Sequence, residues 1–72
     1  MADVLAEITA NVWQIRVEVG QVVAAGHELM ILESMKMEIP VEAPVAGTVS
    51  AIHVEEGGQV IEGALVATID EA

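Results

Sequence analysis

Lys36 is the one lysine in this 72-residue chain, and it stands between two thioethers in the run Glu33-Ser34-Met35-Lys36-Met37-Glu38. A solitary primary amine between long apolar side chains reads as a site, either a side chain that is itself modified or the centre of a soft contact patch. The plain alternative is a surface cation beside core methionines, because Met commonly fills gaps in packing. Catalysis by the chain's own groups is not indicated. Cys and Tyr are absent, and no Ser/His/Asp grouping stands at meaningful spacing. His27 and His53 are far apart and lack carboxylate or thiolate company at ligand spacing, so neither reads as a metal ligand.

The elements that position Lys36 follow from composition and from an internal repeat. Hydrophobic residues make up 54% of the chain although Phe and Tyr are absent, so Val, Ile, Leu, Ala and Met must build the core. Many of these are β-branched, which favours strands. Laying Val4 to Glu33 over Val41 to Asp70 without a gap gives nine identities: Val4/Val41, Ala6/Ala43, Val12/Val49, Ile15/Ile52, Val17/Val54, Glu18/Glu55, Gly20/Gly57, Val23/Val60 and Gly26/Gly63. Matched glycines imply matched tight turns. Two copies are too few for an open solenoid, so a closed pair of half-domains related by a pseudo-twofold axis is expected.

Within each half the strand signals are short and bounded by Gly, Asn or Pro. They predict strands over 4–8, 12–17, 22–23 and 29–34, with counterparts over 37–41, 48–54, 60–61 and 65–69. The expected fold is all-β, two four-stranded antiparallel sheets in a flattened barrel or sandwich. Pro40 and Pro44 lack amide donors, belong at a strand edge or end, and suit an exposed hairpin better than a central strand. One period beyond Lys36 lies just past the C-terminus, so the dyad sets Lys36 at a hairpin tip remote from the chain ends.

A two-residue turn of Met35 and Lys36 would pair Ser34 with Met37, Glu33 with Glu38 and Leu32 with Ile39. Such turns favour Asn-Gly or Asp-Gly, because positive φ costs a long side chain roughly 1 kcal/mol or more. Glu33 and Glu38 would also face one another as like charges, which destabilises a strand pair. Local rules broken together at one place are expected where function dictates sequence.

The formal net charge of −10, from 12 acidic residues against Arg16 and Lys36, repels phosphate backbones and anionic lipid. Nucleic-acid and membrane roles are therefore not expected. The apolar run Leu29 to Leu32 is far too short to span a bilayer, and no charged segment precedes an apolar stretch at the N-terminus. A cytoplasmic protein is expected.

The run Glu33 to Glu38, followed by Pro44-Val45-Ala46-Gly47-Thr48-Val49 and preceded by the spaced Gly20 and Gly26, resembles the biotinyl, or biotin carboxyl carrier, domain family over essentially the whole chain. Within it, the chain is similar to the short stand-alone biotinylated proteins of actinobacteria. The resemblance implies one biotinyl domain over 1–72, a barrel-sandwich hybrid with half-repeats at 4–33 and 41–70 and its hairpin tip at 34–37. It implies that a biotin protein ligase joins biotin covalently to Lys36 using ATP. The flanking recognition residues would be Ser34, Met35 and Met37, with Glu33 and Glu38 helping to orient the tip.

It further implies a non-catalytic, monomeric carrier moving carboxyl, as carboxybiotin, between biotin carboxylase and carboxyltransferase sites. Two features depart from the family pattern. Ser34 stands where Ala is common, a small-for-small change, and Ala6 to Val12 replaces the usual Ala-Pro-Met turn of the first half. Two other functions stay open: a lipoyl-type carrier, whose lysine usually lacks methionine on both sides, and an unmodified binding module with Met35, Lys36 and Met37 as its contact patch.

Overall fold

In the computed structural model, which describes all residues from Met1 to Ala72, the chain folds into eight strands and no helix. These are β1 (Ala2–Leu5), β2 (Ala10–Ile15), β3 (Val22–Val23), β4 (Glu28–Ser34), β5 (Met37–Glu42), β6 (Gly47–Ile52), β7 (Gln59–Val60) and β8 (Leu65–Glu71). They form two four-stranded antiparallel sheets, ordered β1-β8-β6-β3 and β5-β4-β2-β7. Each sheet keeps its two edges, so the structure is a flattened barrel-sandwich rather than a closed barrel. No helix is long and apolar enough to cross a membrane.

Exchanging β1 to β4 for β5 to β8 maps every strand pairing onto another, which is the topological statement of the pseudo-twofold axis. The backbone hydrogen bonds outside the ladders obey the same exchange. Gly20 N–H donates to Val49 O as Gly57 N–H donates to Val12 O, and Gly26 N–H to Ala43 O as Gly63 N–H to Ala6 O. These bonds cross between the two half-sequences, while each turn is also closed locally, Gln21 N–H donating to Glu18 O and His27 N–H to Ala24 O as Gly58 N–H donates to Glu55 O and Ala64 N–H to Ile61 O.

The identities of the repeat explain why the exchange works. Val4/Val41, Ala6/Ala43, Val12/Val49 and Val23/Val60 are all buried in one cluster with Leu29, Met30, Leu32, Val66 and Ile69. Such a core offers the two sheets interchangeable small branched side chains and no aromatic ring to break the symmetry. The glycine pairs Gly20/Gly57 and Gly26/Gly63 all take positive φ. Core and turns carry the repeat, while the surface diverges, as in Trp13 against Ser50.

The strand bounds shift from those read in the sequence. The strand expected over 4–8 runs instead from Ala2 to Leu5, because it pairs with β8 from Ala2↔Ile69 onward and a register shift follows Val4. Ile8 lies in a bend, where the Thr9 hydroxyl accepts a hydrogen bond from the Glu62 amide at 3.1 Å. Strand β8 extends to Glu71, held by pairing with Gly47. At Gly47 a Cβ would lie 2.2 Å from the Asp70 carbonyl oxygen, so the close approach of β6 to β8 excludes any side chain there. Pro40 sits on the edge strand β5, where its missing amide interrupts nothing.

Candidate functional site

The β4–β5 hairpin carries the Lys36 tip. Strand β4 supplies the core residues Leu29, Met30 and Leu32, all at most 1% exposed. The register is Leu32↔Ile39, Glu33↔Glu38 and Ser34↔Met37, which leaves Met35 and Lys36 as the two turn residues. Their φ values are 52° and 65°, the positive pair of a type I′ turn. That turn has the backbone twist of the strands it joins, so the hairpin closes in two residues despite the cost to two long side chains.

The result is a short arm on a rigid base. Leu32 is buried and Ile39 packs against the core, so the anchored part of the hairpin ends there. Lys36 lies three residues beyond Ile39, about 10 Å along an extended strand. All of Glu33, Met35, Lys36, Met37 and Glu38 are exposed, and Ser34 is half-buried at the root of the turn. No side-chain hydrogen bond reaches the Lys36 ammonium. Met35 is 91% and Met37 65% exposed, whereas Met30 is fully buried. The tip methionines therefore do not fill the core; Met30 does, and the plain alternative for Lys36 loses its physical basis.

What the arrangement can do chemically is present one accessible primary amine to a second protein. Covalent attachment of a cofactor needs such an amine, free of competing partners and fixed on a firm base, and Lys36 meets each requirement. The histidines lie elsewhere: His53 Nε2 and Thr68 Oγ1 are hydrogen-bonded at 2.9 Å on the other sheet, and no group of three or more His, Cys, Asp or Glu stands together as a metal shell. A groove of about 400 Å³ opens between the edge strands β1 and β5, lined by Leu5, Ile8, Ile39 and Pro40 together with the acidic Asp3, Glu7 and Glu42. Lys36 does not line it, so the chemistry of the tip is not that of a pocket.

Sequence reasoning brought the six tip residues together but missed one neighbour of the same kind. The hairpin holds a second like-charged pair, Glu28↔Glu42. Extending the turn register down the hairpin would set Glu28 opposite Ala43. A register shift between Glu28 and Met30 moves it onto Glu42 instead. Nothing in the local sequence announces that bulge.

The model of a family described as biotin-requiring enzyme matches residues 1–69 of the chain. A biotinylated protein TB7.3 homologue from Mycobacterium leprae is 49% identical over 67 residues, covering 93% of this chain and 94% of its own length. A biotin carboxyl carrier protein from Streptococcus mutans is 45% identical over 64 residues, covering 89% of this chain and 49% of that protein. Among solved structures, the urea carboxylase of Kluyveromyces lactis superposes with a TM-score of 0.91 at 36% identity, over 96% of this chain and 6% of that one.

Proposed function

The chain belongs to the biotin-requiring enzyme family and is a domain of the biotin carboxyl carrier type, and on that premise we propose that Lys36 is the residue to which a biotin protein ligase joins biotin. The observation that carries this reading is the Met35-Lys36 turn: both residues hold positive φ without glycine, and the amine is exposed with no partner of its own. A sequence kept at a conformational cost is one that something outside the fold reads. Met35, Met37 and Ser34 are the surfaces the ligase grips, and Glu33 and Glu38 orient the tip toward it.

In the attachment step the lone pair of the deprotonated Lys36 Nζ would attack the cofactor carboxyl that the ligase has activated with ATP. The C–N bond forms, the bond from the carboxyl carbon to the activating phosphate breaks, that phosphate leaves as the anion, and Nζ gives up one further proton to become the amide. Biotin supplies a carboxyl-carrying ring once bound. The remaining work belongs to the chain. The core-anchored hairpin holds the amine away from the sheets, and tethering raises the concentration of the cofactor at each partner site in turn.

The net charge of −10 steers such a domain toward basic rims on a biotin carboxylase and a carboxyltransferase. Weak contacts suit a carrier that must leave one site to reach the next. The unit 1–72 acts in this reading as one biotinyl domain, a non-catalytic substrate of the ligase working in the cytoplasm.

Intact mass tests the proposal. Wild type and Lys36→Arg are incubated with a biotin protein ligase, biotin and ATP, and in parallel with a lipoate ligase, lipoate and ATP. Wild type gains one biotin and the variant gains none. Lipoate uptake in place of biotin would reassign the domain to the lipoyl type, and uptake of neither would leave the tip as a contact surface.

A further inference from the structure

The chain offers no cysteine to an oxidant, so its reactive sulfur lies in four thioethers. Their environments differ widely. Met30 is fully buried in the core, Met1 is 81% exposed at the N-terminus, and Met35 and Met37 flank Lys36 in the open. Oxidation of a thioether requires the sulfur to meet the oxidant, so accessibility ranks the four and places the tip pair, with Met1, ahead of Met30.

The consequences differ as much as the exposures. A sulfoxide at Met30 would set a polar group inside the buried hydrophobic cluster, whereas one at Met35 or Met37 rests in water and leaves the sheets untouched. Any protein that covers the tip must bury that oxygen, which costs free energy unless a donor meets it.

We propose that Met35 and Met37 form a reversible oxidation site through which hydroperoxides slow the modification of Lys36. The inference rests on Lys36 being the attachment residue. In the step, the thioether sulfur attacks the distal oxygen of a hydroperoxide; the O–O bond breaks, an S–O bond forms, and the alcohol, or water from hydrogen peroxide, leaves. Sulfur is oxidised by two electrons and the peroxide oxygen is reduced by two. Methionine sulfoxide reductases return each sulfoxide epimer to the thioether.

The test treats biotin-free protein with graded hydrogen peroxide, removes the peroxide with catalase, and maps added oxygen by peptide mass before adding biotin protein ligase, biotin and ATP. Oxygen is expected on Met35, Met37 and Met1 but not on Met30. Biotin uptake by the oxidised protein should be about tenfold slower, the effect of burying one poorly matched polar group, and should recover after reductase treatment. A Met1→Leu variant should behave as wild type, which separates the tip from the N-terminus. In Met35→Leu/Met37→Leu, which cannot take the oxygen there, the rate should be the same before and after peroxide.

Undiminished uptake by fully oxidised protein overturns the inference while leaving Lys36 as the attachment residue. Oxidation of Met30 in step with the tip overturns it as well. If untreated wild type takes up no biotin, the attachment reading falls and this inference falls with it.

Discussion

Gly20, Gly26, Gly57 and Gly63 turn the chain at φ between 86° and 96°, while Met35 and Lys36 turn it at 52° and 65°. The glycine turns stand in open space, with nothing within 4 Å of where a Cβ would lie, so backbone conformation alone explains the glycine. Each of their amides donates to a carbonyl of the other half-sequence, which ties the sheets together. The Met35-Lys36 turn ties only β4 to β5 and spends two long side chains on a conformation that glycine or asparagine adopts more cheaply. Where the fold needs positive φ it uses glycine. At the tip, something other than the fold has set the sequence.

That contrast can be broken at either end. Replacing a fold-serving glycine, as in Gly63→Ala, should cost about 1–2 kcal/mol, because an L side chain is forced into positive φ and the amide bond to Ala6 O is strained with it. For so small a domain that lowers Tm by very roughly 5–15 °C. The variant should still accept biotin at Lys36 at temperatures where it is folded, since the tip is untouched. A thermal melt beside an intact-mass assay checks both halves of the expectation. A glycine replacement without a stability cost would erase the difference between the two kinds of turn.

A smaller effect sharpens the comparison within the hairpin itself. Glu33↔Glu38 at the tip and Glu28↔Glu42 at its base are both like-charged pairs across one strand boundary. Glu33→Gln and Glu28→Gln should each stabilise the fold by about 0.2–0.5 kcal/mol at low salt, and less at 1 M salt, where exposed charges are screened. Only Glu33→Gln should slow biotin uptake, because only that pair stands beside Lys36. Equal uptake rates for Glu33→Gln, a matching Glu38→Gln and wild type would remove Glu33 and Glu38 from the recognition surface.

Much of this was legible in the sequence, and for identifiable reasons. The repeat of Val4/Val41 and Val12/Val49 with Gly20/Gly57 gave the two-sheet plan, since core residues and turn glycines are the positions where the two halves meet the same demands. The hairpin register followed from placing a two-residue turn at Met35-Lys36. The first strand was misplaced because the run from Val4 ends on the apolar Ile8, yet Ile8 lies in a bend beside Thr9, whose hydroxyl accepts from the Glu62 amide far along the chain. The Glu28↔Glu42 pair and the groove between β1 and β5 arise from a bulge and from the edge strands of two different sheets, which no local pattern encodes.

The most direct test replaces the tip with the residues the turn itself would choose, Met35→Asn together with Lys36→Gly, and measures the urea unfolding midpoint and biotin uptake of the variant beside wild type. The account predicts a variant about 1–2 kcal/mol more stable, which takes up no biotin where wild type takes up one. A variant less stable than wild type would mean that Met35 and Lys36 serve the fold after all. Undiminished biotin uptake would mean that the modified residue lies elsewhere, and either result would contradict the claim that the tip is written for a partner.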